Sequence, residues 1–336
     1  MNESSTQPVL YPFLFEPVLK NYIWGGRNLE KYERILPPGK TAESWEIAAH
    51  KNGSSIILNG IHQGKSLTEL TAEFGIDIIG SNAKWALDRG KFPLLVKLLD
   101  ANQRLSVQVH PKDDYALQNE DNELGKTEMW VVLHAEPDAK LVYGVRKGTT
   151  RENFKRGIQQ GNLEPYLNIV PVKSGDHICV PSGSLHAIME GTIMIEIQQN
   201  SDTTYRVYDW NRLGNDGMPR ELHIEKALDV INFEQIEPQI GPAVEIESNN
   251  GIRRYMLCHN EYFVTERIEF EDAATYTGTC DGSSLEIWGI INGRAKVDQT
   301  QLDAIQFTLL PAAYGDFSIV TEEPAVMLRT TIPASA

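Results

Sequence analysis

Three short segments carry side chains whose types and spacing suit metal chemistry. In LSVQVHP, residues 105–111, polar and apolar positions alternate. Alternate residues of a strand share a face, so Ser106, Gln108 and His110 point one way and Val107 and Val109 the other. An amide oxygen beside an imidazole is a sensible half of a metal site. In GKTEMWVVL, residues 125–133, the same spacing sets Lys126 beside Glu128. The carboxylate offers an oxygen ligand, and the lysine an acid, a base or an anion anchor. In VPSGSLHAI, residues 180–188, a Pro-Ser-Gly turn introduces a run that delivers His186. Two histidines, one glutamate and one glutamine make an N/O donor set for a borderline metal, with room for water or substrate. Each piece alone has a plainer reading. A strand histidine is ordinarily a packing or surface residue, and a glutamate beside an apolar run ordinarily faces solvent. Spacing by itself leaves both readings open.

A fourth segment, QQNSDTTYRVYDWNR at 198–212, is polar and holds Asp202, Arg206 and Arg212. The formal net charge of the chain is −15. Such a chain repels nucleic acid and anionic membrane, so neither is an expected partner. A small anion needs a local basic pocket against that field, and two arginines on one segment suit a phosphate. The plainer alternative is a surface hairpin with an Asp–Arg ion pair.

The elements that must position these residues read mainly as short strands. The 336 residues are 41% hydrophobic and 23% charged, an ordinary globular composition with material for more than one core. Residues 1–40 read as an extended entry, and 43–60 as two β-runs about a turn at Asn52-Gly53. Residues 65–90 suggest short helices, with Ser66 a cap and Glu69 three residues on. From Phe92 the text is strand-like, with helices predicted after Pro111, across 149–166 and across 221–233. Short β-runs between turn residues suggest a sandwich or barrel. Residues 234–250 read as a linker. Residues 251–333 are again β-rich, with two strands about the Asn292-Gly293 turn. The expected division is a catalytic domain at 1–233, a linker at 234–250 and a β-rich domain at 251–336. Three widely spaced cysteines with no CxxC pair argue against a disulfide framework or a cysteine zinc cluster. No apolar run approaches a membrane span. A cytoplasmic protein is the expectation.

Together, LSVQVHP, GKTEMW, VPSGSLHAI and NSDTTYRVYDWNR resemble the type I mannose-6-phosphate isomerases, particularly the short bacterial form. ESWEIAAH at 43–50, FPLLVKLLDA at 92–101 and ELHIEKALDV at 221–230 fit the same pattern. The resemblance runs from about residue 12 to 232. It implies a cupin-type jelly roll, or double-stranded β-helix, with helical insertions and a second, degenerate cupin-like domain. It implies one zinc ion, with ligands on Gln108, His110, Glu128 and His186. It puts the catalytic arginine on Arg206, the active-site lysine on Lys126 and an active-site aspartate on Asp202. Arg212 stands where larger members have a lysine, and with Ser106 is the implied phosphate anchor. Larger members have a histidine just before the lysine, where this chain has Gly125.

The implied reaction is aldose–ketose isomerisation of a sugar phosphate, mannose 6-phosphate to fructose 6-phosphate, by a monomer or homodimer. Zinc stabilises the enediolate, Arg206 holds substrate oxygens, Lys126 shuttles a proton, and Asp202 orients Arg206 or assists ring opening. Other classes remain at this stage. Two histidines and a glutamate also suit an iron oxygenase, and a sugar-binding cupin without catalysis keeps the same pocket.

Overall fold

The computed structural model describes residues 9–214 and 217–334. It is mainly β, and its contacts divide it into two compact units, each discontinuous in sequence.

One unit comprises Val18–Glu46 and Leu94–Ala243. Its six-stranded sheet runs in the order His177–Val180, Glu128–Ala135, Thr192–Gln199, Leu94–Ala101, Glu43–Ile47, Val18–Lys20. Its five-stranded sheet runs Leu167–Pro171, Lys140–Val145, His186–Ile188, Val107–Val109, Tyr205–Tyr208. One buried cluster joins the two sheets face to face: Leu99, Trp130 and Met194 come from the first, and Leu141, Tyr143 and Ile188 from the second. The other face of the five-stranded sheet is equally apolar. Val107, Val109, Ala187, Tyr205 and Val207 pack there against Phe154 and Leu228 of the helices Arg151–Gln159 and Ile224–Val230. This is the jelly-roll arrangement with helical insertions. It fixes the direction of every second side chain. With Val107, Val109, Ala187 and Val207 committed to the helices, Gln108, His186 and Arg206 must face the space between the sheets.

The second unit takes in Ile47–Pro93, Val244–Ala336 and the chain up to Pro17. Its six-stranded sheet has Val264–Phe270 and Ala325–Thr331 at the centre, and its four-stranded sheet runs Ala274–Cys280, Gly315–Thr321, Ala295–Val297, Thr300–Leu302. Ile268, Trp288 and Met327 from one sheet bury against Val297, Phe317 and Ile319 from the other. The helix Leu67–Phe74 belongs to this unit and begins with the capping box expected from Ser66 and Glu69.

These units correct the contiguous division expected from sequence. The helical segment after residue 65 goes with the C-terminal sheets, because Gly80 lies against Ser283 and the Asn82 amide donates to the Ile332 carbonyl. At Gly80, with φ +87°, a Cβ would lie 2.4 Å from the Ser283 oxygen, so no side chain fits. The expected linker is also partly strand: Val244–Asn249 pairs antiparallel with Ile252–His259. Two strands flank the Asn292-Gly293 turn, as the sequence suggests. The strands on either side of it, Glu286–Asn292 and Ala295–Val297, lie in different sheets. No helix among the described residues is long and apolar enough to cross a membrane.

Candidate metal centre

The five-stranded sheet sets three of the expected residues in one row. Gln108 is the direct cross-strand partner of His186 on one side and of Arg206 on the other. Paired residues on adjacent strands stand about 5 Å apart, so an imidazole, an amide and a guanidinium line up across the sheet. His110 follows two residues after Gln108 on the same face. The facing sheet contributes Glu128, and Lys126 precedes it by two.

His110, Glu128 and His186 are all buried, and their donor atoms lie within 4.8 Å of one another. Each imidazole is held from behind. His110 Nδ1 is 2.7 Å from the Thr203 carbonyl and His186 Nδ1 is 3.0 Å from the Ser184 carbonyl. A carbonyl only accepts, so Nδ1 carries the hydrogen and Nε2 turns a lone pair toward the centre. Burial, and then the Lys126 charge, hold both rings neutral: His186 falls to about 4 and His110 well below its ordinary value. Glu128 Oε1 is buried without a hydrogen-bond partner, 3.3 Å from His186 Nε2. Two neutral imidazole nitrogens and an orphaned carboxylate oxygen, all converging, fit a divalent metal ion. Lys126 contacts two of these side chains, 3.0 Å from His110 Nε2 and hydrogen-bonded to the other oxygen of Glu128, Oε2.

The amide of Gln108 is oriented differently from a ligand. Its Nε2 faces His186 Nε2 at 3.4 Å, while its Oε1 accepts from the Ser106 hydroxyl at 3.2 Å. Ligation through oxygen requires the amide turned over about its last bond. Ser106 Oγ also accepts from Arg206 Nε at 3.2 Å, so this hydroxyl ties the arginine to the amide.

His186, Gln108 and Lys126 open on a cavity of about 290 Å³. Lys126, Asp202, Ser106 and Arg206 line it, and so do residues that the sequence did not single out: Tyr22, Glu43, Lys97, Trp130, Glu196 and Arg220. Lys97 is 3% exposed and sits 3.3 Å from Glu196 and 3.6 Å from Glu43. Burial works against its charge, but the two carboxylates outweigh burial and hold its pKa up. Glu196 takes the Trp130 indole N–H at 3.0 Å, and despite burial its pKa is lowered by Lys126 and Lys97. Burial pushes Glu128 up, against the pull of Lys126. A signal for Lys97 and Glu196 was present, since each is a charge inside an apolar strand run, FPLLVKLLDA and GTIMIEIQQN.

Two expectations need correction. Arg212 does not line this cavity. It donates to the Arg104 carbonyl and to Asp209 and opens on a separate pocket with Asn102, Gln103 and Arg104. Asp202 does not hold Arg206, whose side chain is fixed by Ser106 Oγ and the Glu221 carbonyl. The Asp202 charge acts instead on Tyr22, Glu43 and Lys97. At Gly125 the backbone of Lys112 and Asp113 closes in, and a Cβ would meet Asp113 N at 2.6 Å. No side chain fits where larger isomerases carry a histidine.

Residues 13–129 match the model of the phosphomannose isomerase type I catalytic domain. Over 317 residues the chain is 41% identical to the probable mannose-6-phosphate isomerase GmuF of Bacillus subtilis (strain 168), covering 92% of this chain and 96% of that protein. The chain belongs to the type I phosphomannose isomerase family. Within that family it is also 45% identical over 225 residues to the mannose-6-phosphate isomerase ManA of Bacillus subtilis (strain 168), covering 67% and 69% of the two chains. The crystal structure of the mannose 6-phosphate isomerase from Bacillus subtilis superposes with a TM-score of 0.83 at 34% identity, over 95% of this chain and 99% of the other. The family match at 13–129 includes Gln108, His110, Lys126 and Glu128. His186 and Arg206 lie beyond it, and the strand pairing with Gln108 brings them to the same row.

Proposed function

We propose that this type I phosphomannose isomerase interconverts mannose 6-phosphate and fructose 6-phosphate through an enediol, using one zinc ion per chain, as a cytoplasmic monomer or homodimer. The observation that carries the reading is the convergence of two neutral imidazole nitrogens and the orphaned Glu128 oxygen, with His186, Gln108 and Arg206 lining one small-molecule cavity. His110, His186 and Glu128 would hold the metal, with Gln108 a fourth ligand once its amide is turned. Bound zinc supplies Lewis-acid polarisation of the sugar's carbonyl and hydroxyl oxygens.

The chain's own residues do the rest. Arg206, anchored by Ser106 and Glu221, holds substrate oxygen and opposes the negative charge that grows on it as the C2 proton leaves. Lys126 is buried against the ligand cluster, takes up the proton that leaves C2 and returns it to C1, while the hydroxyl proton passes from O2 to O1. Asp202, on the Tyr22 and Lys97 side, assists opening of the sugar ring. Lys97, Glu43 and Glu196 keep that wall charged but paired, so the sugar's hydroxyls meet fixed donors and acceptors rather than loose water. A coupled assay that follows fructose 6-phosphate from mannose 6-phosphate tests the reading, alongside oxygen uptake. Turnover of the sugar phosphate without oxygen consumption is expected. Oxygen uptake with no isomerisation would replace this reading with an oxygenase.

A further inference from the structure

Two arginines border the cavity, and they differ in how they are held. Arg206 stands next to the ligand row as the partner of Gln108. Arg220 reaches the same cavity from the segment after that strand. It grips one carboxylate in a fork, with Nε 2.7 Å from Asp209 Oδ2 and Nη2 2.5 Å from Asp209 Oδ1. These bonds leave Nη1 of Arg220, while the bonds to Ser106 and Glu221 leave Nη2 of Arg206. The two guanidiniums also feel each other. After burial, the Arg220 charge is the strongest influence lowering the Arg206 pKa. Asp209 offsets part of this repulsion, and the positive charge that remains favours an anion in the cavity. In a chain of net charge −15, a cationic pair turned into a cavity marks the place for one.

We propose that Arg220, aimed by Asp209, is the principal anchor for the substrate's phosphoryl group, with Arg206 beside it. The assignment moves the anchor away from Arg212, whose guanidinium is engaged outside the cavity. Asp209 is the positioning residue: its fork presents one edge of Arg220 and leaves the other for phosphate oxygens. The substrate's identity as a sugar phosphate rests on the isomerase reading, but the anion seat does not.

The experiment titrates inorganic phosphate into metal-loaded, full-length protein by calorimetry, with mannose 6-phosphate kinetics alongside. Arg220→Met is expected to weaken phosphate binding about tenfold or more, the scale of one lost charge-assisted hydrogen bond. It should raise KM for mannose 6-phosphate similarly and change kcat far less. Arg220→Lys should recover part of the loss. Asp209→Asn should weaken phosphate less than Arg220→Met does, and Arg212→Met should stay within about twofold of the parent. A folded Arg220→Met protein that binds phosphate like the parent would overturn the proposal. So would an equal loss from Arg212→Met. If the parent binds phosphate through Arg220 yet does not isomerise, the anchor stands and the isomerase reading falls.

Discussion

Gln108 and His186 face each other directly across two antiparallel strands, with Val107, Val109, Leu185 and Ala187 packed on the opposite face of the sheet. The apolar neighbours determine the polar ones. A one-residue slip in either strand would send its ligand into the helix-packed core and a valine or alanine into the cavity. The site is therefore held by the same burial that stabilises the sheet.

Arg206 shares this row, and its contribution should appear in turnover rather than in metal content. Arg206→Met is expected to lower kcat about a hundredfold or more, the usual scale for removing a preorganised donor to developing charge. Metal content by elemental analysis should match the parent. A variant with near-normal kcat would remove Arg206 from the reaction.

Ser106 accepts from Arg206 and donates to Gln108, so it organises two other groups. Ser106→Ala should lower kcat by about tenfold, on the scale of one displaced hydrogen bond, with KM little changed. A large rise in KM with normal kcat would instead make its hydroxyl a phosphate contact.

Lys97 keeps two buried carboxylates paired. Lys97→Met leaves Glu43 without its cation and Glu196 with Lys126 alone, and breaking a buried pair costs about 3–5 kcal/mol. Urea unfolding of the metal-free protein should show that loss at neutral pH. It should shrink in acid, as the carboxylates take up protons. A variant as stable as the parent at neutral pH would show that the pairing contributes nothing.

His186 gives a pH signature of its own. Its folded pKa of about 4 lies below the ordinary 6.5, so between these values the unfolded chain binds a proton that the folded chain does not. The folded state is therefore disfavoured as pH falls from 6.5 toward 4, by up to roughly 3 kcal/mol. Glu128, whose pKa is raised, pulls the other way. The difference between parent and His186→Gln isolates the histidine: metal-free parent should lose stability relative to the variant across that window. Parallel profiles would mean that His186 titrates normally.

Half of this site was legible in the sequence. Strand alternation put Gln108 with His110 and Lys126 with Glu128, because those pairs are local. His186 and Arg206 meet Gln108 only through non-local register, which no spacing records, and the order of family motifs supplied what periodicity lacked. Lys97 and Glu196 were visible as charges inside apolar strands, but nothing local shows that one neutralises the other. Arg220 gave no signal, since its place depends on a fork to Asp209. The interleaving of the two units was hidden for the same reason: the helix after Ser66 looks alike whichever sheet it serves.

The most direct test is metal content and isomerase activity on the same samples: parent, chelator-treated parent, zinc-restored parent and His110→Ala. About one zinc per parent chain is expected, with activity that is lost on chelation and returns with zinc. His110→Ala should hold no metal and show no turnover. Full turnover by metal-free parent, or by a metal-free His110→Ala protein, would contradict zinc dependence.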